Sequence, residues 1–323
     1  MLENKRRQYL STYLIVYISF IFAIAVGYGL YGYGHDYYTA YQGSNLKWGG
    51  FFSRLGFMIA TLTINEVHLG VQIVTFLLAL SSGFLIREHV KFKDSYSLIF
   101  FITLYLIAIH TWPIIMSTSN AMRQGLAMSF IFFALVANSR KNYYWMIFFS
   151  ICAIFMHRSG LFLSLVITFS TIINYFFGNL SHGKKAILYF SVGLILFLFA
   201  NFVLRYIGLL VYSGDEGSRI IGGDFRWAFL SISFIYIILT FLYRNMLDNP
   251  FNLSVYYFSF ISLSFLTSGL NWEYERIGMM MLFPYILSFG ILLNRSSYKI
   301  YLILSFIALL YLTIFMGMYA ALN

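Results

Sequence analysis

Apolar residues come in long runs along this chain, separated by short stretches that gather its charge. "YLIVYISFIFAIAVGYGL" (13–30) and "ILYFSVGLILFLFANFVL" (187–204) show the pattern. A helix that crosses a bilayer needs about 20 mostly apolar residues. The runs therefore predict crossings over 9–31, 67–86, 95–112, 120–138, 143–157, 160–177, 186–211, 227–243, 251–269, 276–293 and 299–320. The expected fold is all-α and polytopic, a single integral membrane domain over 1–323 with about eleven transmembrane helices. The opening "MLENKRRQYL" has the charged-then-apolar order of a signal peptide. The run behind it outlasts an ordinary signal core and has no clear small-residue cleavage site, so it reads as a retained first span.

One stretch breaks the pattern. "WGGFFSRLGFMIATLTIN" (48–65) is short and holds Arg54. Its apolar residues Phe51, Leu55, Met58, Ile59 and Leu62 recur at helical spacing, which predicts an interfacial or re-entrant helix rather than a crossing. The basic loops agree. With a cytoplasmic N-terminus and a non-crossing 48–65, the inner side receives Lys5, Arg6, Arg7, Arg87, Lys91, Lys93, Arg140, Lys141, Lys184, Lys185, Arg244, Arg295 and Lys299, which is 13 of the 21 basic residues. A crossing there would send "REHVKFKD" (87–94) and every later basic loop outward, against the positive-inside rule. The C-terminus then lies outside.

Composition sharpens this reading. The chain is 60% hydrophobic and 10% charged, where a soluble domain carries about 25% charged residues. Its net charge of +10 is ascribed to anchoring on anionic lipid, not to nucleic acid. Seven of the eight lysines fall on the inner side, whereas the outward basic residues are Lys47 and seven arginines: Arg54, Arg123, Arg158, Arg205, Arg219, Arg226 and Arg276. Lysine is a hydrated point charge suited to anchoring; arginine carries a planar fork that pairs with phosphate and desolvates more cheaply. The outer side also receives Asp36, Glu66, Asp215, Glu216, Asp224, Glu273 and Glu275, and the histidines His35, His68, His110 and His157. Chemistry is therefore expected on the face away from the cytoplasm, with a lipid-linked phosphate or pyrophosphate rather than a nucleotide as donor.

Five clusters carry that expectation, each with a plainer reading beside it. Arg123 sits inside the apolar run "STSNAMRQGLAMSFIFFALVA" (117–137), where an arginine costs about 2.5–3.5 kcal/mol on insertion scales. Asn120, Arg123 and Gln124 share a helical face by their spacing, as a substrate-binding group or as an interhelical hydrogen-bond network. "FMHRSG" (155–160) places His157 and Arg158 at a short outer turn, as a base beside a phosphate-binding guanidinium or as an anchor pair capping two helix ends. "NWEYERIGMM" (271–280) brings Glu273, Tyr274, Glu275 and Arg276 together, as a carboxylate base beside a phosphate clamp or as a local salt bridge. "GDEGSRIIGGDFRW" (214–227), with Arg226, reads as a loop closing over substrate or as an ordinary Gly- and Asp-rich loop. "GYGLYGYGHDYYTAYQG" (27–43), with Asp36, offers tyrosine faces for sugars or an interfacial belt.

Other chemistries find little support. No His/Cys set has metal-ligand spacing, and HExxH, GxxxxGK[ST] and GxSxG are absent. The single Cys152 allows no intrachain disulfide. No metal and no cofactor is expected.

The segment "NAMRQGLAMSFIFFALVANSRKNYYWMIFFSICAIFMHRSGLFLSL" resembles the core of the EpsG family of Wzy-type polysaccharide polymerases, with its Arg opening a span in an NxxRQ-like context, a basic turn, and a His followed by a small residue at the next turn. "HDYYTAY" and "YERIGMMMLFPY" are similar to the family's Asp-aromatic segment and its late Arg-containing span. Where the family often has an acidic residue before a Gly-aromatic pair, this chain reads "KWGGF". The resemblance implies a GT-C-like membrane glycosyltransferase. It would join undecaprenyl-pyrophosphate-linked oligosaccharide repeats, as donor and acceptor, in O-antigen or exopolysaccharide synthesis. Lipid pyrophosphate would be the leaving group, with a flippase and a chain-length regulator of the same pathway as partners. On that reading His157, Glu275 and Asp36 are the catalytic candidates, and Asn120, Arg123, Gln124, Arg158, Arg226, Arg276 and Tyr274 the substrate-binding ones. Two other classes compete. A flippase would place charge in both membrane halves, whereas here the intramembrane charge favours one. A membrane sugar acyltransferase would need a His deep in the membrane near a cytoplasmic donor, and His89 and His182 lie in short inner loops.

Overall fold

A computed structural model describes residues 2–33, 38, 54–62, 68–90, 95–119, 121–211, 225–268, 283–285 and 287–288. Every regular element among the described residues is helical. They are α1 (Leu2–Gly27), α2 (Arg54–Ala60), α3 (Leu69–His89), α4 (Ser95–Ile109), α5 (Trp112–Ser119), α6 (Met122–Ser139), α7 (Tyr143–Met156), α8 (Arg158–Phe177), α9 (His182–Val211), α10 (Phe225–Leu242), a 3-10 turn (Arg244–Asp248) and α11 (Pro250–Ser268). Among the described residues, four helical stretches are long and apolar enough to cross a membrane: Arg6–Gly27, Leu69–His89, Ser159–Phe177 and His182–Val203. Tyr143–Met156 and Ser231–Leu242 are shorter apolar helices. The predicted spans 276–293 and 299–320 lie outside the described residues, apart from helical 283–285 and 287–288.

The helices gather into two compact units, residues 1–164 with 286–323, and residues 165–285. In the first, α3 and α6 form the centre. Val71, Val74, Leu78 and Ile86 of α3 are fully buried, as are Leu126, Ala127, Phe132 and Leu135 of α6. A polar knot ties three helices across this core. The Tyr105 hydroxyl of α4 lies 3.1 Å from the Ala79 carbonyl of α3 and 2.7 Å from Ser19 Oγ of α1. Such intramembrane bonds average about 0.6 kcal/mol, so they set register more than stability.

What positions the functional end is the hairpin between α6 and α7. Lys141 adopts a left-handed φ of 58°. The Asn142 N–H then donates to the Ala137 carbonyl and the Lys141 N–H to that of Asn138, both at 2.9 Å. These are the two bonds of a Schellman cap, which satisfy the last carbonyls of α6 and stop it abruptly. Asn142 Oδ1 in turn accepts from Trp145 N–H at 3.4 Å and caps α7. The chain turns back at once, and α7 returns antiparallel to the level where α6 began. Arg123 and His157 therefore belong to one end of the unit.

The opposite end is marked by charge. Arg140 pairs with Glu88 at 2.7 Å, and Arg87 donates to Thr12 Oγ1. These contacts place the end of α3, the α6–α7 turn and the early part of α1 together. Within this unit the predicted inner residues Arg87, Arg140 and Lys141 thus stand apart from Arg54 and Arg123. The second unit gathers its predicted inner residues likewise. Lys185 and His182 lie 2.7 and 3.4 Å from Asp248, and the Arg244 guanidinium sits over the Phe241 ring at 5.5 Å. Its core holds Tyr285, whose hydroxyl lies 2.8 Å from Ser259 Oγ and 3.1 Å from Ser233 Oγ.

Within 48–65 the described helix is α2, 7 residues long. At 1.5 Å per residue it rises about 10 Å, far short of the roughly 30 Å hydrocarbon layer. It buries Gly56, Phe57 and Ala60 and packs on α3, α6 and α7.

Candidate functional site

Arg123 is the second residue of α6. The helix is preceded by Ala121, which has no side chain to cap it. Ala is a poor N-cap, and a cation in the first helical turn opposes the helix dipole. Both choices are wrong for an isolated helix and right for one whose end receives an anion. The guanidinium carbon sits 5.8 Å from the centre of the Phe57 ring of α2. Arg123 Nε is buried and has no hydrogen-bond partner among the described residues.

Four hydroxyls of the same unit share that condition, and two of them, Ser139 Oγ and Ser150 Oγ, lie on α6 and α7. The other two are Thr75 Oγ1 on α3 and Ser117 Oγ on α5, likewise buried without a partner among the described residues. Gly125 lets their helices meet α6. A Cβ there would come within 2.2 Å of the Ser117 carbonyl and 3.0 Å of Val74 Cγ1. Buried polar atoms are normally paired, and each unpaired one costs about 1–3 kcal/mol.

His157 is the residue between α7 and α8, extended at φ −160° and ψ 146°, and 5% exposed. Its Nδ1 accepts from the Ser159 N–H at 3.2 Å and lies 2.6 Å from Ser159 Oγ. This is N-cap geometry: the imidazole satisfies one of the free N–H groups that open α8. α2 bridges His157 and Arg123. Gly56 lies so close to the end of α7 that a Cβ would come 2.6 Å from the Met156 carbonyl, and the next residue is Phe57, beneath the guanidinium. Replacing Gly56 by valine is expected to push α2 off this seat. We predict a destabilisation of about 1–3 kcal/mol, the usual cost of overpacking, and a several-fold fall in activity. Thermal unfolding and activity of purified Gly56→Val check it; wild-type values for both would remove α2 from the site.

The remaining candidates fare differently. Gln124 is buried next to Arg123. Arg158 opens α8 and Arg226 is the second residue of α10, placed by their backbones alone. Asp36, Asn120, Glu273, Tyr274, Glu275 and Arg276 lie outside the described residues. Of the tyrosine segment, Tyr33 donates to the Gly27 carbonyl at 2.7 Å and meets the His68 ring edge-on at 4.7 Å, while Tyr28 is exposed. Burial, and then Tyr38 nearby, push the Tyr33 hydroxyl above the usual phenol range. Phe57 escaped sequence reasoning, because nothing in an apolar run marks which ring will face an arginine. Among the described residues no three His, Cys, Asp or Glu side chains gather as a metal site.

Compared with known families, residues 9–322 match the EpsG family. The chain belongs to the EpsG family. No curated protein and no solved structure matches it. EpsG proteins are Wzy-type polysaccharide polymerase-like, and membership points to a membrane protein of the polysaccharide-polymerase type. The apolar helices make this EpsG protein multi-pass.

Proposed function

We propose that this EpsG protein polymerises undecaprenyl-pyrophosphate-linked oligosaccharide repeats on the outer face of a bacterial plasma membrane, as a membrane glycosyltransferase with about eleven crossings and a GT-C-like arrangement. The observation that carries the reading is Arg123: a half-buried arginine at the uncapped start of a helix, whose buried Nε has no partner among the described residues. That combination favours an anion buried at that depth, which is where the pyrophosphate of a membrane-held donor sits. In the transfer, the donor's C1–O bond to phosphate breaks and its electron pair leaves with the pyrophosphate. The acceptor hydroxyl oxygen bonds to C1, and its proton goes to a base among His157, Glu275 and Asp36. Arg123, with Arg158, Arg226 and Arg276, offsets the charge growing on the leaving group. Asn120, Gln124 and Tyr274 are assigned to the sugars.

The test is direct. Purified protein in a bilayer disc, given the lipid-linked repeat unit alone, is expected to produce a ladder of polymer. Failure with substrate that a known polymerase extends would overturn the reading.

Orientation has its own test. With Cys152→Ser as background, cysteines at 36, 158 and 218 are expected to label from outside, and those at 90 and 183 only after permeabilisation. External labelling at 90 would invert the assignment of every residue above.

A further inference from the structure

We infer that His110 belongs to a saccharide subsite at the Arg123 end of the first unit, where its Nε2 accepts a hydrogen bond from a sugar hydroxyl and the neighbouring Tyr31 ring takes the C–H face of the sugar. The inference rests on the proposed transfer and adds to it a residue that holds the glycan.

One contact fixes the imidazole. His110 follows directly on α4, and its Nδ1 lies 2.7 Å from the Leu106 carbonyl one turn back. A carbonyl oxygen can only accept, so Nδ1 carries a proton and donates it. This bond caps the end of α4, beside those from the His110 and Thr111 N–H groups to the Ile107 and Ala108 carbonyls. A neutral imidazole carries one proton. With that proton on Nδ1, the lone pair is on Nε2. The cap makes no use of Nε2, no hydrogen bond reaches it among the described residues, and His110 is exposed. Two rings hold the imidazole plane: Phe22 of α1, with centroids 5.3 Å apart, and Tyr31, edge-on at 6.2 Å. Phe22 is buried and forms the floor, whereas Tyr31 is half-buried and keeps part of its ring open.

These rings stand at the end of the unit that holds Arg123. Gly27, which closes α1, is so near α3 that a Cβ there would meet the Gln72 side chain. Gly70, at the start of α3, is seated the same way against the Ala60 carbonyl of α2, and α2 carries Phe57 beneath the Arg123 guanidinium. The tyrosine segment after α1 thus reaches two histidines here, His110 through Tyr31 and His68 through Tyr33.

The class of ligand follows from what the group offers. A lone pair on Nε2 repels a phosphate oxygen and accepts from a hydroxyl. A ring beside it suits a flat apolar face, and few polar groups among aromatic ones is the usual make-up of a small-molecule site. A pyranose presents both surfaces, hydroxyls along its edge and C–H groups on its face. Arg123 then suits the anionic part of the lipid-linked repeat, and His110 its neutral part. No bond is made or broken at His110.

Nitrogen NMR of 15N-histidine-labelled protein in bilayer discs tests the subsite without turnover. His110 is assigned by the signals missing from His110→Asn, whose amide still offers a donor to the Leu106 carbonyl. At mildly alkaline pH the expected spectrum has a protonated Nδ1 and an unprotonated Nε2. The probe is the oligosaccharide freed from the lipid-linked repeat by mild acid, which has neither lipid nor phosphate. Its addition is expected to shift the His110 Nε2 signal in the wild type, and much less in Tyr31→Leu. An unprotonated Nδ1, or an Nε2 signal indifferent to the oligosaccharide, would overturn the inference. In the polymer assay, His110→Asn is expected to raise KM for the lipid-linked repeat about 3- to 10-fold, the worth of one neutral hydrogen bond, with a smaller effect on kcat. Tyr31→Leu is expected to raise it likewise, and Tyr31→Phe, which keeps the ring, to recover most of that loss. An unchanged KM in folded His110→Asn would reduce the imidazole to a cap of α4. Failure of the wild type to make polymer would refute the proposed transfer, while the response of Nε2 to the oligosaccharide would still decide the subsite.

Discussion

Replacing Arg123 by lysine is expected to remove most polymer formation, and replacing it by alanine only slightly more. Lysine keeps the charge and loses the fork. A charge-assisted hydrogen bond is worth about 1.5–3 kcal/mol, or about 10- to 150-fold in turnover or donor affinity. If Arg123 were only an anchor at the helix end, lysine would serve equally well, since its flexible stem lets the ammonium reach the interface. The buried Nε, without a partner among the described residues, argues for the fork. The Phe57 ring beneath the guanidinium adds a face that a planar cation uses better than an ammonium. Polymer yield for Arg123→Lys at matched membrane expression decides. A near-wild-type ladder would leave the family membership intact and refute the clamp. The same comparison at Arg276 extends the test to the late span.

His157→Ala is expected to lower polymer formation by about 10²–10⁴-fold, the usual contribution of a positioned acid–base group. The variant should still insert. Its loss is partly structural, because the ring also caps α8 through the Ser159 N–H, and losing a cap costs about 0.5–2 kcal/mol. Expression and thermal unfolding measure that part separately. Wild-type chain lengths from His157→Ala would reduce the residue to its capping role.

The hairpin that builds this end was legible in the sequence. The predicted spans 120–138 and 143–157 are α6 at Met122–Ser139 and α7 at Tyr143–Met156, because a charged turn between two apolar runs leaves few alternatives. The separation of Arg54 and Arg123 from Arg87, Arg140 and Lys141 followed from the same charge pattern. α5 was not foreseen. "WPIIMSTS" reads as an ending run followed by a polar loop, yet Pro113 is tolerated in a first helical turn and Trp112–Ser119 is helical. Both readings of His157 drew on its position, and the capping one is visible in the geometry. The Phe57–Arg123 contact was not legible, because it joins residues far apart in the chain by the close seating of Gly56 on α7.

The central claim is that a glycosidic bond forms at the expense of a lipid pyrophosphate bond. It is tested most directly by counting both products in one reaction, with purified protein and the lipid-linked repeat in bilayer discs. The account predicts one undecaprenyl pyrophosphate released for each new glycosidic bond, and both falling together in Arg123→Ala. Repeat units that cross the bilayer unchanged, with no pyrophosphate released, would contradict it.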